Sequence, residues 1–200
     1  MTDLDGLQAR VHPGGGLVAR TAGAALVVPH PSGGQQETFD LLLALVRDAR
    51  PEGGRALTRR FAAILASAEG DDSVDVALLA PLTNGDVAVL VAGDVDVSAD
   101  GADGPVRMTG RDSITWVDRV LRAPTHLQVT GGSSGSLTSG SLAVSDLIEG
   151  IVPGSGLSLS LRAESHATAA SNSFRARKKV STMAATSKIW LNTAIKKSGW

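Results

Sequence analysis

The aspartates offer this chain its most direct route to chemistry. Asp71, Asp72, Asp94, Asp96, Asp100 and Asp103 fall close together along the sequence. Carboxylates that converge can hold divalent ions, and such ions stabilise the charge developing on a transferring phosphoryl group. Asp94 and Asp96 alternate with Gly93, Val95 and Val97. In a strand they share one face, which makes them the candidates for a cation site. The same alternation also suits a solvated strand face or a charged edge that resists strand addition, and that reading needs no metal.

Other chemistry-bearing types are less organised. His12, His30, His126 and His166 show no HxxxH spacing. The glycine-rich stretches at 12–16 (HPGGG) and 152–156 (VPGSG) lack both the Lys-Ser/Thr of a phosphate loop and the spacing of a dinucleotide-binding turn. They read as turns rather than anion cradles. Ser113, Ser133 and Ser145 have no nucleophile-elbow context. With no cysteine there is no disulfide and no thiolate metal site. No catalytic residue and no cofactor is assigned, and the chain reads as non-enzymatic.

Residues 111–119 (RDSITWVDR) hold Trp116, the first of three Trp in the chain. As a strand, the segment would place Ile114 and Trp116 on one face, with Trp116 anchoring the core. A ligand or peptide pocket around Trp116 is the alternative.

The strongest signal is a segregation of charge. Residues 1–164 carry 12 Arg against 20 Asp and Glu, a formal charge of −8. Residues 165–200 carry two Arg and five Lys with no acid, a charge of +7. A tail of this kind usually has its own partner. Arg175, Arg177, Lys178 and Lys179 form a basic cluster. Beyond it, Met183, Trp190, Leu191 and Ile195 fall near one helical face, with Lys188 and Lys196 at its border. Ile189, Lys197 and Trp200 complete the expected partner-binding set. A basic amphipathic segment suits a protein groove, and after that an anionic membrane surface or nucleic acid. A disordered solubilising extension is the plainer reading, but such tails are poor in aromatics. The abrupt appearance of lysine is also what a segment foreign to the body would show.

These residues need a scaffold. Residues 17–20 and 24–29 read as a hairpin around Thr21-Ala22-Gly23. Phe39, Leu42, Leu43 and Val46 form a helical stripe, and Leu57, Phe61, Ile64 and Leu65 form a second. The short connection between them predicts an antiparallel pair. Residues 74–81 and 86–92 flank Asn84-Gly85, the strongest short-range hairpin signal. Their unbroken apolar character predicts burial on both faces. Residues 93–97 alternate, as in a strand with one wet face. Further strands are expected at 106–108, 114–120, 127–130 and 154–161, with one helical or extended segment at 142–151. Residues 131–141 read as a flexible Gly/Ser loop. The core must be aliphatic, since aromatics are 3% of the chain.

Four stretches together carry a family resemblance: residues 11–20 (VHPGGGLVAR), 90–97 (LVAGDVDV), 110–119 (GRDSITWVDR) and 145–156 (SDLIEGIVPGSG). Over about residues 10–160 the body resembles the N-terminal region of actinobacterial proteins that carry a forkhead-associated (FHA) domain further along. The order hairpin, helix pair, hairpin ending in Gly93-Asp94 is also similar to a reduced PPM/PP2C phosphatase. Those enzymes carry Gly-Asp-Ser-Arg where this chain has Gly93-Asp94-Val95-Asp96. Their metal-binding Asp-Gly-x-Gly-Gly is replaced by residues 29–34 (PHPSGG). The resemblance therefore implies a non-catalytic relative, and the tail has no counterpart in it.

The expectation is an α+β fold with antiparallel sheets and an antiparallel helix pair over residues 10–162, a spacer at 163–172 and a basic amphipathic tail at 173–200. The expected function is a non-catalytic regulatory or scaffolding module that docks onto a protein partner through the tail. A divergent metal-dependent phosphatase using Asp94 and Asp96, and a cargo protein recruited to a larger assembly by its C-terminal peptide, are the alternatives. An acidic, polar N-terminus and short apolar runs suggest a soluble, cytoplasmic protein.

Overall fold

A computed structural model of the chain describes residues 4–31, 33–50, 53–68, 74–132 and 144–161. Over these residues the chain is α+β, with two antiparallel sheets and one antiparallel helix pair. The spacer, the tail, the centre of the Gly/Ser loop, and Asp71, Asp72, Ser133 and His166 lie outside the described residues.

The first sheet holds β1 (Leu7–His12), β6 (Val95–Gly101), β7 (Gly104–Thr109), β9 (His126–Gly131), β10 (Val144–Asp146) and β12 (Gly156–Leu161), ordered β10-β1-β12-β9-β6-β7. The second holds β2 (Leu17–Thr21), β3 (Ala24–Val28), β4 (Val76–Pro81), β5 (Val87–Ala92), β8 (Val117–Leu121) and β11 (Gly150–Pro153), ordered β11-β2-β3-β4-β5-β8. Helices α1 (Gln36–Arg47) and α2 (Gly54–Ser67) lie on the second sheet.

The period of two decides the layering. On β4 and β5, Ala77, Leu79, Val87, Val89 and Val91 enter the core between the sheets. Their neighbours Val76, Leu78, Ala88 and Leu90 enter a second core beneath the helices. Both strands are buried along their whole length, as their unbroken apolar runs predict. The first sheet needs only one apolar face. Val95, Val97, Leu127, Val129, Leu157 and Leu159 point inward, and Asp96, Ser98, Gln128 and Ser158 alternate with them. From α1 and α2, Phe39, Leu42, Val46, Leu57 and Phe61 are buried, in keeping with the two helical stripes.

One local reading holds in detail and two differ from the structure. The β4–β5 turn has one residue with positive φ, Gly85 at 85°. Leu82 N–H donates to Asp86 O at 2.8 Å, and Gly85 N–H to Leu82 O at 3.1 Å. The expected hairpin thus forms, with its turn closed by a left-handed glycine. Residues 142–151 are not one segment. β10 and β11 fall within or across them and pair with different sheets. Finally, β1 begins before residue 10. Leu4, Leu7 and Ala9 belong to the inter-sheet core, although the polar residues around them hide the strand in the sequence.

Candidate functional site

Asp94 stands between the β4–β5 hairpin and β6, and its backbone is held from two sides. Its N–H donates to Asp75 Oδ1 at 2.7 Å, and its carbonyl accepts from Gly132 N–H at 2.9 Å. Asp96 lies on β6, on the face turned away from the core. The loop after β7 brings in Arg111. Its Nε pairs with Asp94 Oδ1, and its Nη2 donates to Asp96 Oδ2 at 2.7 Å. One guanidinium thus bridges the two carboxylates that the sequence nominates for a cation. All three side chains are partly exposed, between 31% and 48%. Solvent screens such pairs, so their effect is on local geometry more than on stability.

His30 lies against the other, inward face of this sheet. It follows β3 and packs against Gly131, whose register partner on β6 is Val95. The structure therefore gathers Asp94, Asp96 and Arg111 at one end of the sandwich. Their chemistry is that of an acidic pair partly compensated by one fixed positive charge, which occupies the space between the carboxylates. Among the described residues, no group of three or more His, Asp or Glu is placed to hold a metal ion. Asp100 and Asp103 do not join the cluster. Asp100 gives its carbonyl to Thr125, and Asp103 pairs with Arg122 at 3.7 Å on an exposed rim.

A second polar pair lies on the outer face of the first sheet. His12 Nε2 and Ser158 Oγ share a hydrogen bond of 2.7 Å. Partial burial lowers the imidazole pKa below its ordinary 6.5, because the charged form loses hydration. Ser158 sits on β12, which pairs with β1 on one side and β9 on the other. The ladders on both sides occupy the backbone N–H groups of the strand, leaving none for an oxyanion hole. The pair therefore reads as a cross-strand lock. Because the folded pKa lies below the unfolded one, the unfolded chain binds more protons as pH falls past 6.5. Stability contributed by neutral His12 is present above that pH and is lost below it. His12→Gln should flatten this part of the curve of urea midpoint against pH. An unchanged slope would assign it to other groups.

Trp116 does not sit where the alternation placed it. Strand β8 starts one residue later, at Val117, and Ile114 is fully exposed in the preceding loop at 105%. Trp116 is half-buried against the core beneath the helices. Ser113 Oγ donates to its carbonyl at 3.0 Å and closes the loop. The tail residues Arg175, Arg177, Lys178, Lys179, Met183, Lys188, Ile189, Trp190, Leu191, Ile195, Lys196, Lys197 and Trp200 lie outside the described residues.

Comparison with protein-family models, with curated proteins and with solved structures finds no match. Geometry alone must carry the reading of this corner. Sequence reasoning missed the part played by Arg111, which lies 15 residues from Asp96. The one signal was an arginine directly after Gly110 in a turn, which is too common a pattern to identify a partner. Among the described residues no helix is long and apolar enough to cross a membrane.

Proposed function

We propose that the body is a non-catalytic regulatory or scaffolding module, and that the basic segment at 173–200 docks it onto a protein partner. The observation that carries the first half is the Arg111 bridge between Asp94 and Asp96. A divalent ion bound there would have to displace a guanidinium already paired with both carboxylates. Such an ion would also bring its charge within a few ångströms of that guanidinium, which is repulsive. The reading is in keeping with residues 29–34 (PHPSGG), which stand where the similar phosphatases carry Asp-Gly-x-Gly-Gly. Support for the second half is the +7 charge and acid-free composition of residues 165–200, together with Trp190 and Trp200.

Two measurements test the proposal. With Mn²⁺ or Mg²⁺ present, hydrolysis of p-nitrophenyl phosphate by the full chain should equal that of Asp94→Asn and stay at background. A metal-dependent rate abolished by Asp94→Asn would establish the phosphatase alternative instead. For the tail, an affinity capture with the full chain should recover a partner that Trp190→Ala and removal of 173–200 both lose. Equal recovery by all three proteins would end the docking reading.

A further inference from the structure

The helix layer carries a positive surface that the rest of the body does not prepare for. Five of the chain's 14 arginines, Arg47, Arg50, Arg55, Arg59 and Arg60, lie within residues 47–60. All five are exposed. The ion pairs among the described residues join Arg111 to Asp94 and Asp96 and Arg122 to Asp103, and involve none of these five. Helix stability explains only part of the cluster. Arg47 ends α1, where a cation complements the helix dipole. Arg55 does the reverse, standing in the first turn of α2, which has no acid. Arg55 and Arg59 are spaced one turn apart on that helix, a like-charge pair that repels.

Between the end of α1 and the start of α2 the cluster borders a cleft of about 250 Å³. Arg50 and Arg60 line it over Leu45, Ala49, Ala56 and Leu57, with Asp48 as the acid in its wall. We infer that this cleft is a docking site for a short acidic segment of a partner protein, with an apolar side chain on the cleft floor and carboxylates on the arginines. The cleft is lined by body residues, and the inference does not rest on the role of the C-terminal tail. Charge selects this occupant. Residues 1–164 sum to −8, so an extended polyanion such as nucleic acid or an anionic membrane would overrun the patch onto an acidic surface. A short acidic segment would not. An apolar floor is also of no use to a bare phosphate backbone.

The test uses the full chain and a fluorescein-labelled peptide of glutamates carrying one leucine, read by anisotropy at low salt. Arg50→Ser/Arg60→Ser should weaken binding by about tenfold or more, as removal of paired interface charges does. Its melting temperature should hold, because both side chains are exposed. Exchanging the peptide leucine for serine should weaken binding to the wild type. Neutralising Lys178 and Lys179 should leave most of the affinity in place. Loss with the lysine variant alone would overturn the cleft assignment while sparing the tail-docking reading. An oligonucleotide of equal charge binding as tightly, with the same dependence on the arginines, would overturn the choice of an acidic peptide. Self-association of the wild type that disappears in the double variant would assign the cleft to a second copy and overturn it as well.

Discussion

Arg20→Met is expected to lower the melting midpoint of the body by roughly 10 °C, the largest effect of any single polar substitution named here. Arg20 is 2% exposed, on a strand whose neighbours Val18 and Ala19 are buried in two different cores. Its guanidinium reaches across from the second sheet to close one end of the first. Nη1 donates to Leu147 O at 2.6 Å, and Nη2 donates to Leu7 O at 2.9 Å and to Leu4 O. One side chain thus ties the N-terminal turn, the start of β1 and the exit of β10. Methionine matches much of the volume and none of the donors. Each buried carbonyl left without a partner costs about 1–3 kcal/mol, so a loss of about 4 kcal/mol is expected from a total of about 5–15 kcal/mol. Arg20→Lys should fall between, because an ammonium cannot fork towards three acceptors as a guanidinium does. Thermal and urea unfolding of the three proteins decides the matter. A methionine variant as stable as the wild type would mean that water satisfies these carbonyls and that the arginine is not a staple.

The second large effect is at Gly16. Gly16→Ala is expected to cost about 3 kcal/mol or more, and Gly15→Ala, one residue away, to cost less than about 0.5 kcal/mol. A Cβ at Gly16 would strike the carbonyl oxygens of Val28 and Pro29 and lie 2.7 Å from that of Gly154. All three are backbone atoms in paired or packed segments, and none can turn aside as a flexible side chain would. Gly16 also accepts Gly154 N–H at 3.0 Å, so the crowding marks the place where the loops ahead of β2 and β12 cross. At Gly15 an added Cβ meets nothing within 4 Å. Comparing urea midpoints of the two variants separates close packing from a general need for glycine in this turn. Equal losses would favour a shared backbone requirement instead. The result bears on function too, because it assigns Gly16 to close packing rather than to an anion cradle.

Local pattern carried most of the architecture. The stripes through Phe39, Leu42 and Val46 and through Leu57 and Phe61 specify two helices, and the short link between them makes the pair antiparallel. The apolar runs on either side of Asn84-Gly85 specify β4 and β5 and their burial on both faces. The alternation at 93–97 specifies β6 and its wet face. In each case the information lies within a few residues of the element, because periodicity records which faces of a segment avoid water.

Tertiary structure alone decided who meets whom. Periodicity says that a face is buried but not against what, and every decisive contact here spans long stretches of chain. β1 joins its sheet because β12, almost 150 residues later, pairs with it in register from Leu7↔Leu161 to His12↔Gly156. Arg20 looks like any strand arginine until its acceptors at Leu4, Leu7 and Leu147 are in place. His12 and Ser158 become a pair only across β1 and β12. The same holds for the acidic corner. Alternation is enough to put Asp94 and Asp96 on one face, and composition is enough to split the charge between body and tail. The folding of the β7–β8 loop determined that Arg111, rather than an open coordination site, lies between the two carboxylates. A charge can be counted from composition, but its neutralisation depends on a distance of a few ångströms, and only the packed chain sets that distance.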